Sequence, residues 1–315
     1  MKPDDCKIAS IDIGSNSFLL LLCRASSAGI VQIDHDVVDI VRLGQGLSGS
    51  NRFHPDALKR ADKTLSEFKK LIDQYKPDVV LAKATAAARR AENRAELVNI
   101  GKKFGIDIQT IPGEYEAKIT YQGVFWGQSE DTSDYNMLID IGGGSTELIV
   151  GKGLSIEYSI SIPFGAVLLT ERFITTHPIL PDDEANLVRE IESEIALALK
   201  NISKFPIKNI YAVAGTPTTL AQILLGGYED AKVNGFVLTL DHLKKLETEL
   251  KIRTPEQRIR EMGVPKGRAD VLYAGTVLLR KLVDALAGRD IFVSTRGVRH
   301  GIVADYFLNQ SKAAN

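Results

Sequence analysis

The sequence predicts an α/β protein built from two similar domains, and three observations carry that expectation. The chain has 315 residues, about twice the ~150 residues usual for one domain. Short apolar runs of strand length alternate with longer amphipathic stretches, the order of an α/β layer. One strand–turn–strand string occurs twice, with Asp12 and Asp140 separated by 128 residues, a spacing of domain length that marks an internal repeat.

The elements follow in order. Residues 7–13 alternate loosely and read as a strand, 17–24 as a buried strand and 30–43 as a third. Residues 55–75 form an amphipathic helix, with Leu58, Leu65, Phe68, Leu71 and Ile72 on one face. His54 before Pro55 reads as its start. A short strand at 79–81, a helix at 94–104 closed by Gly105, a strand at 106–111 and a helix at 114–127 complete the first half. The second half opens alike, with strands at 136–141, 147–151 and 155–162. Helices at 167–173 and 181–200, a strand at 210–214, and helices at 218–225 and 269–287 follow. A strand at 291–294 and a helix at 301–308 end the pattern, and residues 309–315 are expected to fray. The expected domains are 1–127 and 128–300, with the last helix, about 301–315, packing back on the first.

Composition narrows the class. The chain is 44% hydrophobic and 25% charged with a net charge of −1, which argues against a dedicated nucleic-acid binder. A local basic cluster can still serve an anionic substrate. Cys6 and Cys23 are the two cysteines and fit no disulfide or metal spacing. The apolar run 18–23 is far too short to span a bilayer, and Asp4, Asp5 and Asp12 stand where a secretion leader would need basic and apolar regions. A cytoplasmic protein with no membrane and no nucleic-acid partner is expected.

The repeated string carries the chemistry. It reads IDIGSNS over 11–17 and IDIGGGSTE over 139–147. In each, an apolar strand ends in Asp, and a turn of small residues leads into the next strand. Gly14, and Gly142, Gly143 and Gly144, let backbone approach an anion closely. Ser15, Asn16 and Ser17, then Ser145 and Thr146, add polar donors, and successive N–H groups in such turns form an anion nest. Asp12 and Asp140 are hard oxygen ligands suited to Mg²⁺ (or Mn²⁺). A single turn of this kind is common, but the pair points to phosphate. Neither string is a Walker loop or a dinucleotide fingerprint, since no Gly-Lys-Ser/Thr and no helix follows.

These strings resemble the two phosphate loops of the acetate and sugar kinase/Hsp70/actin superfamily. Within it the chain is most similar to the exopolyphosphatase/guanosine pentaphosphate phosphohydrolase family. ATAAARRAEN at 84–93, IPGEYEA at 111–117, IPFGAVLLTERF at 162–173, RADVLYAG at 268–275 and GVRHG at 297–301 match family strings, and the likeness runs from about 8 to 307. Pro112 and Tyr115 depart from it, standing where the family has Ser and often Glu. The resemblance implies two ribonuclease-H-like, actin-like ATPase domains with a cleft between them, in the short two-domain form.

It further implies an enzyme that releases orthophosphate from the end of inorganic polyphosphate. The alternative is removal of the 5′-phosphate of guanosine pentaphosphate at the same site. From other classes, an ATP-dependent kinase and a non-catalytic phosphate sensor remain open, and a homodimer is the expected assembly. Glu116 is the implied base, with Glu114 as the fallback; without the resemblance Glu116 reads as a first-turn carboxylate facing the helix dipole. Glu147 and Asp140, with Asp12 through water, would hold the metal, Glu147 also standing near the reacting phosphoryl. Arg89 would grip terminal phosphoryl oxygens, while Arg90 and Arg94 read as solvated. The late basic residues Lys251, Arg253, Arg258, Arg260, Lys266 and Arg268 are a candidate polyanion track, with Arg268 foremost. AVAGTPTTLA at 212–221 occupies the superfamily's adenosine position but reads mainly as fold, with Gly215 and Thr216 as secondary candidate ligands, and His300 reads as a surface or interdomain residue.

Overall fold

The computed structural model describes residues 5–127 and 134–313, with side-chain positions omitted at 48 and 311–313. The chain divides into two compact units, Met1–Glu130 with Arg296–Asn315, and Asp131–Thr295. The boundary expected at 127/128 adjoins residues outside the described range, and the second unit closes at Thr295 rather than 300.

In the first unit, β1 (Cys6–Ile13), β2 (Ser17–Ser26) and β3 (Gly29–Ile40) form an antiparallel meander. The chain then runs through α1 (Leu47–Ser50), α2 (Pro55–Tyr75), β4 (Val79–Ala84), α3 (Ala86–Arg90), α4 (Arg94–Lys103), β5 (Ile108–Thr110) and α5 (Gly113–Phe125). The sheet order is β3-β2-β1-β4-β5, with β1, β4 and β5 parallel. Both faces are covered. Ile11, Ile13, Leu20 and Leu22 pack under Leu58, Leu65 and Phe68 of α2, while Ile8, Leu21 and Cys23 pack on the other side against Trp126, Val303 and Phe307. Burial on both faces is why β2 reads as a continuous apolar run rather than an alternating one. His54 caps α2, its Nδ1 accepting from the Asp56 N–H at 3.2 Å.

The second unit repeats the plan. It contains β6 (Tyr135–Ile141), β7 (Thr146–Lys152), β8 (Ser155–Ile162), α6 (Ala166–Phe173), α7 (Pro181–Ile202), β9 (Ile207–Val213) and α8 (Gly215–Leu225). Then come α9 (Asp230–Val233), β10 (Val237–Leu238), α10 (Leu240–Lys251), α11 (Pro255–Met262), α12 (Leu272–Ala285) and β11 (Ile291–Val293). The sheet order β8-β7-β6-β9-β11 matches that of the first unit, extended by the edge strand β10. The segment 239–262, to which the sequence reading assigns no element, folds as two capped helices. Thr239 and Thr254 each close a capping box, with His242 and Gln257.

The last helix, α13 (Val298–Ala313), belongs to the first unit and runs to Ala313, past Leu308 where the sequence pattern ended. It lies against α5 at a glycine crossing. A Cβ on Gly301 would stand 1.6 Å from the Ile119 carbonyl oxygen, and one on Gly123 2.4 Å from that of Gly297. His300 is 3% exposed, which removes the surface half of its reading as a surface or interdomain residue. Burial, then the neighbouring Arg299 and Arg296, hold its imidazole neutral, well below the ordinary histidine range.

Candidate active site

The two repeated strings form the same turn. In the first, the Gly14 N–H donates to the Ser17 carbonyl at 3.0 Å; in the second, the Gly142 N–H donates to the Ser145 carbonyl at 3.0 Å. Each turn joins its strands through four residues, from Ile13 to Phe18 and from Ile141 to Thr146. Added side chains would crowd the closing carbonyl in both, at 3.0 Å for Gly14 and 3.1 Å for Gly142. All four residues of each turn are half-buried between buried strand ends. Among the described residues, the N–H groups of Ser15, Asn16, Gly143, Gly144 and Ser145 meet no acceptor. Successive unspent N–H groups are the ingredients of an anion nest.

The second turn is clamped from behind. The Ala166 N–H donates to the Gly142 carbonyl at 2.9 Å, and Val167 and Leu168 both donate to that of Gly143 at 3.0 Å. Thr146 Oγ1 donates to the Phe164 carbonyl. Gly165 is required here, because a Cβ would lie 2.2 Å from the Gly142 oxygen. The string IPFGA at 162–166 is thus a backrest for the turn.

The duplication breaks at one position. Asp140 lies directly opposite Glu147 in the β6–β7 ladder, whereas Asp12 lies opposite Leu19 in β1–β2. Directly opposed residues share a sheet face, so the second hairpin carries a carboxylate pair that the first lacks. Both members are buried, and Glu147 accepts from Ser161 Oγ at 2.9 Å. That burial sets Glu147 apart from an outward-facing strand residue. Among the described residues, no three His, Cys, Asp or Glu side chains form a metal cage. Two hard carboxylates per site suit an ion such as Mg²⁺ that keeps waters and takes phosphate oxygens as its remaining ligands.

The first unit assembles a different set at the carboxyl ends of its parallel strands, where ligands bind in open α/β sheets. β1 ends at Asp12 and Ile13, β4 runs into α3 with Arg89, and β5 runs into α5 with Glu116 in its first turn. Thr85 ties β4 to β1, its N–H donating to the Ile13 carbonyl at 3.2 Å. Arg89 Nη1 donates to Glu116 Oε2 at 2.5 Å and to the Ile111 carbonyl at 3.0 Å. Glu116 is buried and Glu114 exposed, so the geometry distinguishes the two first-turn carboxylates. Burial pushes Glu116 above the usual carboxylate range, against the opposing pull of Arg89 and Thr85. Arg90 and Arg94 are exposed. The departing residue Tyr115 points its helix elsewhere: its hydroxyl donates to Asp305, which also receives Lys118 Nζ at 3.0 Å. Tyr115 therefore braces α5 against α13.

Asp12 is strained electrostatically. Its Oδ1 is buried without a hydrogen-bond partner. Burial first, then the Glu116 carboxylate, push it up to about 7, while Arg299 acts in the opposite sense. Arg299 is itself fixed by a bidentate pair with Asp36, 2.8 Å on each arm. A carboxyl raised on folding binds a proton that the unfolded chain has lost, so stability falls as pH rises between 3.8 and about 7. Asp12→Asn should therefore melt with wild type at pH 4 and above it at pH 8. At ~1.4 kcal/mol per pKa unit the gain is at most about 4 kcal/mol. Chelator-treated protein, scanned thermally at both pH values, checks this. Equal melting at pH 8 would show Asp12 to be well solvated or paired.

The late basic residues do not form a track of open charge. Arg258 is fully buried in the core, donating to the Leu250 and Ala269 carbonyls, and its burial lowers it to about 10. Lys251 pairs with Glu184, and Arg253 and Arg260 both engage Glu261. Arg268 donates to Thr219 Oγ1 at 2.8 Å and to the Gly215 carbonyl at 3.3 Å, lying over the start of α8. Thr216 is buried behind Gly215 and packs toward Gly275. Only Lys266 of the six is exposed without a described partner.

Known proteins place this geometry in context. A model of the Ppx/GppA phosphatase family matches residues 24–310. The crystal structure of the Aquifex aeolicus Ppx/GppA family member is 31% identical, with a TM-score of 0.81 over 97% of this chain and 99% of that one. Exopolyphosphatase 2 of Mycobacterium tuberculosis is 29% identical over 94% of this chain and 97% of its own length. Guanosine-5'-triphosphate,3'-diphosphate pyrophosphatase of Photobacterium profundum is 28% identical over 94% of this chain. The chain spans 58% of that relative, and 47% of another curated relative it matches. No described helix is long and apolar enough to cross a membrane.

Proposed function

The chain belongs to the Ppx/GppA phosphatase family, and from that membership we propose that it is a phosphoanhydride hydrolase releasing orthophosphate from the end of inorganic polyphosphate. The observation that carries this reading is the buried Glu116, paired with Arg89 and set beside Asp12 and the first phosphate turn. Such hydrolysis needs a held water, a group to take its proton, and positive charge on the phosphoryl oxygens. Glu116, raised by burial, is a stronger base than a solvated glutamate. Arg89 has a guanidinium edge for the terminal phosphoryl, and the unspent Ser15 and Asn16 N–H groups of the first turn suit further phosphate oxygens.

Asp140 and Glu147 would hold Mg²⁺ or Mn²⁺. The ion supplies charge neutralisation at the phosphates. Asp140→Asn and Glu147→Gln should each raise the Mg²⁺ concentration needed for half-maximal activity, ~10-fold or more for loss of a charged ligand. Magnesium titration of initial rates checks this, and full wild-type activity in excess chelator would overturn the metal assignment.

Guanosine pentaphosphate is the second reading, favoured by the Photobacterium relative. Polyphosphate leads because the Mycobacterium exopolyphosphatase is matched over nearly its whole length. The test is phosphate release measured side by side on long polyphosphate, tripolyphosphate, guanosine pentaphosphate and ATP. Preference for guanosine pentaphosphate would invert the ranking, and ADP-forming transfer to a carbon substrate would replace the hydrolase with a kinase. We place the protein in the cytoplasm as a homodimer, the assembly being checked by analytical sedimentation.

A further inference from the structure

The first turn of α5 carries Glu116, yet Pro112 at its cap makes no side-chain hydrogen bond. On the Glu116 side the turn is held by Arg89, which donates to the Ile111 carbonyl at 3.0 Å and to Glu116 itself. In the hydrolase reading Arg89 also has to meet the substrate. A turn that must place a reacting carboxylate therefore needs a second support, independent of the phosphate.

α13 supplies one. Asp305, buried, accepts from the Tyr115 hydroxyl and from Lys118 Nζ, the latter at 3.0 Å. Asn309, one turn further along α13, donates to the same carboxylate at 2.8 Å. The Lys118 ammonium also lies over the Tyr115 ring, 5.2 Å from its centre. Tyr115 and Lys118 stand three apart on α5 and so share a side of the helix. At about 100° per residue, Glu116 leaves α5 about 100° from Tyr115 and about 160° from Lys118. One carboxylate thus grips the residues on both sides of Glu116 in sequence, from the side of the helix that Glu116 does not use. Asp305 is itself on a fixed element. The crossing at Gly301 locks α13 against α5, and the Trp126 and Phe307 rings stack with centres 5.8 Å apart. Apolar side chains would join two helices without the cost of burying a charge. A buried ionic cluster adds direction to the joint, because its hydrogen bonds fix angles as well as distance.

We propose that Asp305 is a positioning residue for the hydrolytic step, holding the first turn of α5 through Tyr115 and Lys118 so that the Glu116 carboxylate stands where the attacking water is bound. The proposal rests on the hydrolase reading for the part that Glu116 plays.

The test compares Asp305→Ala, Asp305→Asn and Phe307→Leu in the full chain, assayed well below each Tm with tripolyphosphate as the probe. Tyr115 and Lys118 are both partly exposed, so water can take over their donors in Asp305→Ala and the variant can fold. Its kcat should fall about 10- to 100-fold, the scale of a misplaced reacting group. KM, and the rise in Tm that tripolyphosphate produces, should stay at wild-type values, because Asp305 touches no phosphate-binding group. Asp305→Asn keeps one oxygen acceptor and should recover part of kcat. Phe307→Leu loosens the same helix pair beside Trp126, at the other end of α5, and should lower Tm while keeping wild-type kcat. A kcat within about threefold of wild type in Asp305→Ala overturns the proposal. So does a loss carried by KM, which would assign the cluster to substrate binding. An equal kcat loss in Phe307→Leu overturns it too, by making the effect one of general stability. If wild type itself releases no phosphate from any of the four substrates, the hydrolase reading fails and the proposal falls with it; wild-type turnover by Asp305→Ala sinks the proposal alone.

Discussion

Glu116→Gln should abolish most turnover while leaving tripolyphosphate bound. Glutamine keeps the shape and removes the proton acceptor, so kcat should fall ~10²–10⁴-fold, the usual worth of a general base. KM should change little, because Arg89 and the turn N–H groups remain. The pH profile gives a second readout. A base works only when deprotonated, and burial raises Glu116, so the acid limb of kcat/KM should lie above the ordinary glutamate range. The Arg89 guanidinium opposes that rise, so Arg89→Gln should move the acid limb to higher pH as well as weakening substrate binding. Activity of Glu116→Gln within a few fold of wild type would assign the proton to another group. The exposed Glu114 would be a poor successor, because water already solvates it. Asp12, buried with an unpartnered oxygen, would be the next candidate.

What could be read in the sequence was what lies in contiguous strings. IDIGSNS and IDIGGGSTE put strand, turn and polar donors within a few residues, so both hairpins were legible together with their likeness. Helix 55–75 was legible because its apolar residues keep the helical period and His54-Pro55 marks its start. The pairing of Arg89 with Glu116 joins residues 27 apart in sequence, and only the parallel strands β1, β4 and β5 bring them to one sheet edge. Burial of Arg258 was hidden for the same reason. In sequence it is one charge among several, and three bonds to the carbonyls of Leu250 and Ala269 on either side of it make it a core residue. α10 and α11 were legible in principle from the boxes at Thr239 and Thr254, but the reading assigned no element between 225 and 269 and took the basic residues there as a candidate track.

The string GVRHG at 297–301 holds two glycines with opposite expected tolerances. A Cβ on Gly301 would stand 1.6 Å from the Ile119 oxygen and 2.4 Å from its carbonyl carbon, both backbone atoms of α5. No rotamer relieves a clash between main chains, so α13 and α5 must separate. Gly301→Ala should cost about 3 kcal/mol or more, at the upper end of overpacking effects. A Cβ on Gly297 meets nothing within 4 Å, so Gly297→Ala should change stability by less than about 0.5 kcal/mol. Urea midpoints of the two variants measure the contrast, and equal losses would mean that helix entry rather than close crossing explains the string. The effect should reach the chemistry. α5 carries Glu116 in its first turn, and α13 carries Arg299, which acts on Asp12 and is pinned by Asp36. A folded remnant of Gly301→Ala should therefore lose kcat beyond its loss of folded protein, whereas Gly297→Ala should keep wild-type turnover. Gly123→Ala, which would meet the Gly297 oxygen at 2.4 Å from the other side of the crossing, should reproduce the Gly301 result. A mild Gly123→Ala would place the clash in α13 alone.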